Sequence, residues 1–214
     1  ELYGFDPPTE KGLDTVETCR GVIDGSVKAV IGLGGNFLRA VPETAAMEEA
    51  WPRLDLSVQI ATKLNRNHLF AGKITYLLPC LGRIEEDVQE TGPQAVSTED
   101  STSCIHGSRG KSRPASPHLL SEPRIVAEIA KRILPPNPRV DWDNWVADYG
   151  RIRDAIEATY PAIFRDYNKR LFTPGGFWKG NKAAERIWQT PSGKAEFLAP
   201  TGLSATGFAD AEGR

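Results

Sequence analysis

Three short apolar segments, each followed by a polar or glycine-rich turn, constrain the fold of this 214-residue chain most strongly. They cover residues 27–33, 54–60 and 74–78. The first has the mainly apolar composition of a strand that is covered on both faces. Because the connections between the segments have helical character, their order predicts a parallel sheet with right-handed crossovers. We therefore expect an α/β fold, a sandwich with helices on both faces of the sheet.

Helix signals flank these segments. Asp14, with Glu17 three residues later, has the pattern of a capping box, and Gly25 is placed to end the helix that follows. Further helices are predicted over 42–51, with Pro42 in the first turn, over 121–134 and over 143–160.

Two stretches lack any helical or strand period. Residues 82–117 are mainly polar or small, which predicts a long loop region. Beyond residue 173 the pattern fades again, and we interpret this part as a linker and a single strand. The expected division is an α/β domain over 1–172, followed over 173–214 by a linker and the start of a truncated cofactor-binding domain.

Composition excludes several classes of protein. The net charge of −2 is too small for the basic field that a nucleic-acid binder needs, so we expect no nucleic-acid partner. No apolar run reaches the roughly 20 residues that span a bilayer, and no signal peptide is recognisable, so we expect a cytoplasmic protein without a membrane partner. Three widely spaced cysteines match neither a disulfide framework nor a metal site, and we interpret Cys80 as a small buried apolar residue.

Ligands of open parallel sheets bind beyond the carboxyl ends of the strands, where three loops of this chain are expected. They are Gly34–Phe37, Thr62–His68 and the segment after Pro79. Gly34 and Gly35 allow the backbone to approach a pyrophosphate closely. The strict dinucleotide fingerprint is not met, because its third glycine is replaced here, and a tight turn without a ligand is the alternative.

The second loop adds cationic and amide side chains. Lys63, Asn65 and Arg66 are able to hold phosphates and sugar hydroxyls, although a solvated basic surface is the alternative interpretation. No motif joins a nucleophile to an oriented base. We therefore predict no catalytic and no metal-ligating residue, and expect any chemistry to come from a bound cofactor.

Several segments together resemble the third domain of molybdopterin oxidoreductase catalytic subunits, closest to the formate-dehydrogenase-like branch. The segments that carry this resemblance are 28–37 (KAVIGLGGNF), 58–68 (VQIATKLNRNH), 77–83 (LLPCLGR), 98–101 (TEDS) and 190–197 (TPSGKAEF). In that family the domain has a Rossmann-like fold, as in formate dehydrogenase and DMSO reductase, and holds one of two molybdopterin guanine dinucleotides.

The resemblance implies a set of cofactor-binding residues and of partners. The implied residues are Gly34, Gly35, Asn36, Phe37, Thr62, Lys63, Asn65, Arg66, Pro79, Glu99, Asp100 and Ser101. Molybdenum and an iron–sulfur cluster would be held by parts of the protein outside this chain. The implied partners are the other domains of the same subunit and a small substrate such as formate, so we expect the chain alone to be inactive.

Two positions depart from the family pattern. Its Gly-Glu-Asn-Pro turn stands here as Gly34-Gly35-Asn36-Phe37, and its Gln-Asp pair as Gln59-Ile60. Without that acidic residue, guanosine recognition is expected from Thr62, Asn65 or Asn67. The alternatives are a purine-nucleotide module without redox chemistry and a scaffold domain.

Overall fold

A computed structural model of the chain describes residues 2–41 and 43–197, which group into two compact units. The sheet unit spans Pro8–Cys80, and the hairpin-helix unit spans Leu81–Glu196 together with the N-terminal residues up to Pro7. Pro42 and the C-terminal part of the predicted second domain, 198–214, lie outside the described residues. The predicted domain division at residue 172 stays a prediction.

A three-stranded parallel sheet forms the centre of the sheet unit. Its strands are β1 (Ala29–Leu33), β2 (Leu56–Ala61) and β3 (Ile74–Pro79), in that spatial order. Every pairing is parallel, and Ile31, Val58 and Tyr76 lie side by side across it. The prediction of an α/β fold with a parallel sheet is confirmed, because β1, β2 and β3 overlap the three apolar segments of the sequence.

Helix α1 (Thr15–Asp24) precedes the sheet and is bounded as predicted. The Asp14 carboxylate accepts the Glu17 N–H, and the Glu17 carboxylate accepts the Asp14 N–H, which completes the capping box. Gly25 ends the helix with a φ of 81°, in the left-handed region that favours glycine.

The connection between β1 and β2 differs in detail from the predicted helix over 42–51. A short helix α2 (Phe37–Ala40) follows the glycine turn directly, and α3 (Thr44–Ala50) begins later and continues as a 3-10 turn over Trp51–Arg53. The connection between β2 and β3 contains only a 3-10 turn, Arg66–Leu69.

The core of the sheet unit lies between its helices and one face of the sheet. Its buried members are Cys19, Val22, Leu38, Val41, Met47, Ala50, Trp51 and Leu54, and Val30 of β1 packs against them. On the opposite face Ile31, Leu33 and Tyr76 are 55%, 53% and 56% exposed. The described helices of this unit therefore leave the outer strands of that face uncovered.

The hairpin-helix unit corrects the prediction of a long loop over 82–117. That stretch contains β4 (Val88–Gln89), β5 (Gly92–Pro93), β6 (Val96–Glu99) and β7 (Cys104–Ser108), and β7 also pairs with β8 (Phe177–Trp178). These strands have two to five residues. Strands β4 to β7 carry few large apolar side chains, so the apolar alternation on which the prediction relied is absent from them.

Five helices complete this unit: α4 (Glu122–Ile133), α5 (Trp142–Ala147), α6 (Tyr149–Thr159), α7 (Pro161–Phe164) and α8 (Tyr167–Arg170). The Ser121 hydroxyl accepts the Arg124 N–H at 3.4 Å and so caps α4, which lies within the helix predicted over 121–134. The single helix predicted over 143–160 is interrupted at Asp148, whose carboxylate accepts the Gly150 N–H and so starts α6 as a separate helix. Among the helices within 2–41 and 43–197, none has the length and apolar character to cross a bilayer.

Candidate functional site

The sheet unit brings nine of the predicted site residues to one edge, because all three strands run parallel and end there. The turn Gly34–Phe37 follows β1, the loop from Thr62 to Arg66 follows β2, and Pro79 is the last residue of β3. This is the edge at which open parallel sheets bind ligands.

The glycine turn has an unusual backbone. Gly34 and Gly35 have φ values of 70° and 76°, which only glycine adopts readily. The Gly34 N–H extends the sheet by donating to the Ile60 carbonyl at 2.7 Å. The next three peptide N–H groups, those of Gly35, Asn36 and Phe37, have no acceptor within the part of the chain that the structure describes. Successive N–H groups in such a turn form a concavity that binds anions.

Hydrogen bonds join the glycine turn to the loop after β2. The Asn65 side-chain amide donates to the Gly35 carbonyl at 2.8 Å, and the Asn67 N–H donates to the Asn36 side-chain oxygen at 3.2 Å. The Asn65 N–H in turn donates to Nδ1 of His68 at 2.9 Å. The two loops that the sequence placed at one edge therefore contact each other directly.

The two cationic residues of this loop have different surroundings. Arg66 donates through Nε and Nη2 to the Glu48 carboxylate at 2.9 and 3.2 Å, and these bonds lower the pKa of Glu48. Lys63 is exposed and forms no ion pair with any residue in the described ranges. Lys63 is thus better placed than Arg66 to neutralise a bound anion, while Thr62 is exposed beside it.

A cavity of about 310 Å³ adjoins the glycine turn. Its lining includes Val30, Gly32, Gly34, Phe37, Trp51, Gln59, Asn67 and His68. The Trp51 side chain is buried, and its indole N–H has no partner among the residues that are described. The volume lies at the lower end of the range for small-molecule sites.

Two buried amides beside this cavity were not assigned to the site by sequence analysis. Gln59 and Asn67 are 4% and 7% exposed, and the Asn67 side-chain amide donates to the Gln59 side-chain oxygen. The sequence does contain one indication of Gln59, because Ser57 and Gln59 are polar residues in an otherwise apolar strand. Asn67 was predicted as a member of the loop after β2 that is able to hold phosphates and sugar hydroxyls, and as one of three residues able to recognise guanosine, but its bond to Gln59 was not predicted.

The three remaining predicted residues belong to the hairpin-helix unit. Glu99 ends β6 and forms an ion pair with Lys179 at 2.7 Å. The Asp100 carboxylate accepts the Thr102 and Cys104 N–H groups at 2.8 and 3.1 Å, and bonds from the Thr102 hydroxyl and these amides lower its pKa. Asp100 therefore organises the turn between β6 and β7, and the part of Glu99, Asp100 and Ser101 in cofactor binding stays a prediction.

Cys80 is 1% exposed, so its interpretation as a small buried residue is confirmed. It directly follows β3.

No protein-family model matches the chain, but longer relatives do. Over 203 residues the chain is 48% identical to protein YdeP of Escherichia coli, an alignment that covers 95% of this chain and 26% of YdeP. Over 196 residues it is 41% identical to the uncharacterized oxidoreductase Rv2900c of Mycobacterium tuberculosis, covering 91% of this chain and 25% of that protein. The chain thus spans about a quarter of the length of the curated relatives it matches. Over nearly all of its length it is similar to one segment of longer proteins, one of which is named as an oxidoreductase.

Proposed function

We propose that this chain is the cofactor-binding part of a molybdenum-dependent oxidoreductase of the formate-dehydrogenase-like type, and that its sheet unit holds molybdopterin guanine dinucleotide. One observation carries the proposal. The N–H groups of Gly35, Asn36 and Phe37 lack acceptors among the described residues, at the edge where parallel sheets bind nucleotides. The similarity to a protein named as an oxidoreductase supports the redox class.

The residues present fit the diphosphate bridge of such a cofactor. Three peptide donors in one turn match phosphate oxygens, and the absence of side chains at Gly34 and Gly35 allows a phosphate to approach the backbone. Lys63, which has no ion-pair partner within residues 2–41 and 43–197, adds a positive charge on the neighbouring loop. Asn65 holds that loop against the turn through its bond to the Gly35 carbonyl.

The cavity beside Gly34 is the proposed place for the nucleoside part. It lies next to the proposed phosphate position and is lined by aromatic side chains of Phe37 and Trp51. Gln59 and the Trp51 N–H offer polar groups there in place of the acidic residue that this chain lacks.

The cofactor and the residues of this chain have different proposed roles. When bound, the cofactor supplies the electron transfer at molybdenum. The described residues of this chain bind and orient its nucleotide end, and we assign none of them a catalytic role. A small substrate such as formate, and an iron–sulfur cluster, would be bound by parts of the protein outside this chain.

The other domains of the same subunit are the proposed partners of this chain. The relatives are about four times as long as the aligned segment. The exposed apolar residues Ile31, Leu33 and Tyr76 also give the sheet unit a surface suited to packing against another domain.

The test is the cofactor content of the longer protein that contains this sequence. We expect purified protein to contain molybdenum by mass spectrometry and to release guanosine monophosphate on acid hydrolysis, because the dinucleotide carries that nucleotide. The Gly35→Ala variant should contain less of both than the Gly12→Ala variant, whose substitution lies in open space. The protein should be expressed in cells that load other molybdenum enzymes with their cofactor. If it then contains neither molybdenum nor guanine nucleotide, the proposal is contradicted.

A further inference from the structure

Asn67 links three segments that border the proposed nucleotide site. It is 7% exposed and lies in the 3-10 turn after β2. Its side-chain oxygen accepts the Leu38 N–H at 3.1 Å, and its side-chain amide donates to Gln59 of β2. Its own N–H donates to the side-chain oxygens of Asn36 and Asn65, at 3.2 and 3.0 Å. Both ends of its amide are therefore used.

Asn67 replaces the usual cap of helix α2. Asn36 occupies the N-cap position, yet its side chain makes no capping bond to its own helix. The Leu38 N–H, which an N-cap side chain would ordinarily accept, is satisfied by Asn67 instead. The Asn36 side-chain oxygen accepts the Asn67 N–H in exchange. The turn and the loop thus depend on each other for their hydrogen bonds.

Asn67 is itself held in one orientation by the sheet. Gln59 is 4% exposed, and its amide nitrogen donates to the Ser57 hydroxyl at 3.3 Å, which directs its oxygen to Asn67. Ser57 is fully buried. Since an unpaired buried amide is costly, this chain of bonds fixes which end of Asn67 faces Leu38.

We propose that Asn67 is a positioning residue that sets the geometry of the glycine turn, and through it the affinity for a nucleoside diphosphate. The inference rests on the proposed function for its ligand. Its structural part, that Asn67 orders the N–H groups of Gly35, Asn36 and Phe37, stands on the bonds above. Asn67 need not touch the ligand for this role.

The experiment combines calorimetric titration of guanosine diphosphate into the chain with amide hydrogen exchange of the chain without ligand. In Asn67→Ala we expect the affinity to fall about tenfold or more, because two buried partners are left unpaired and the turn loosens. Exchange at Gly35–Phe37 should become faster. The control is Val22→Ala, a buried core substitution in α1 that lowers stability and removes no hydrogen bond of either loop, because the valine side chain has no polar atom.

A double-mutant cycle separates positioning from general destabilisation. If Asn67 acts through the turn, Gly35→Ala should weaken binding less in the Asn67→Ala background than in the parent chain. Additive effects, or Asn67→Ala with the parent's affinity and exchange rates, would overturn the inference. If the parent chain binds no guanosine diphosphate while Asn67→Ala still accelerates exchange at the turn, the proposed function fails and the positioning role stands.

Discussion

At Gly35, as at Gly34, the backbone takes a conformation that residues other than glycine adopt only at a cost. The φ of Gly35 is 76°, and an added Cβ would meet no atom within 4 Å. The sequence indicated this turn correctly, because consecutive glycines after an apolar strand have few other uses. It did not indicate that Arg66 is engaged by Glu48, since that ion pair joins residues 18 positions apart.

Gly35→Ala should lower the free energy of unfolding by about 1 kcal/mol, because only backbone strain acts where space is open. Gly12 also has no neighbour within 4 Å of an added Cβ, and its φ is not positive. Gly12→Ala should therefore change stability by less than about 0.5 kcal/mol. Urea unfolding followed by circular dichroism measures both, and equal stabilities of the two variants would contradict the strain argument.

The Glu128 carboxyl predicts how the stability of the chain changes at acid pH. Hydrogen bonds from Arg132 and Lys131 lower the pKa of its carboxyl to about 2. A carboxyl with a lowered pKa stabilises the folded state above its unfolded pKa, and this contribution is lost as the pH falls from about 4.5 towards 2. Glu128→Gln should therefore be less stable than the parent at pH 7 and approach it in that acid range. A stability difference that does not change with pH would refute this assignment.

At the scale of elements, prediction succeeded where a local signal exists. The capping box of Asp14 and Glu17 correctly indicated where α1 begins, and Gly25 correctly indicated where it ends. The hairpin of β6 and β7 was missed, because its strands gain their stability from pairing and from a buried Ile105 that packs on distant Tyr167. Such contacts are not visible in a short window of sequence.

Asp14→Ala tests the cap directly. We expect a loss of about 1 kcal/mol in unfolding free energy, because the Glu17 N–H loses its acceptor at the start of α1. Glu10→Ala, a change of an exposed acidic residue before the helix, is the matched control and should have little effect. Urea unfolding measures the stability of both variants. An unfolding midpoint of Asp14→Ala equal to that of the parent chain would contradict a stabilising role of this cap.

At the scale of the whole molecule, the exposed face of the sheet is the main difference from expectation. The apolar strands predicted helices on both faces, whereas Ile31, Leu33 and Tyr76 are each more than half exposed. The apolar strand composition was detected correctly, but a sequence does not show which segment covers a given face. The loops that meet at the carboxyl edge of the sheet were predictable, whereas the hydrogen bonds of the buried amides Gln59 and Asn67 were not, because their partners come from different elements.

This exposed face should make the chain associate with itself at high concentration. Ile31→Lys and Tyr76→Lys should each increase the monomer fraction, since a charge on this face opposes contact between apolar surfaces. Leu64→Lys is the control, because Leu64 is exposed but lies in the loop after β2. Light scattering over a concentration series measures the fraction, and a parent chain that stays monomeric at millimolar concentration would refute the expectation.

Calorimetric titration of the chain with guanosine diphosphate and, separately, with adenosine diphosphate measures directly whether this edge of the sheet binds a nucleotide. Binding through the N–H groups of the glycine turn predicts saturable heat with guanosine diphosphate, a weaker signal with adenosine diphosphate, and reduced affinity in Gly35→Ala. Stronger binding of adenosine diphosphate would favour a purine-nucleotide module without redox chemistry. The absence of heat with either nucleotide at millimolar concentration, from a folded chain, would contradict the claim that this edge of the sheet binds a nucleotide.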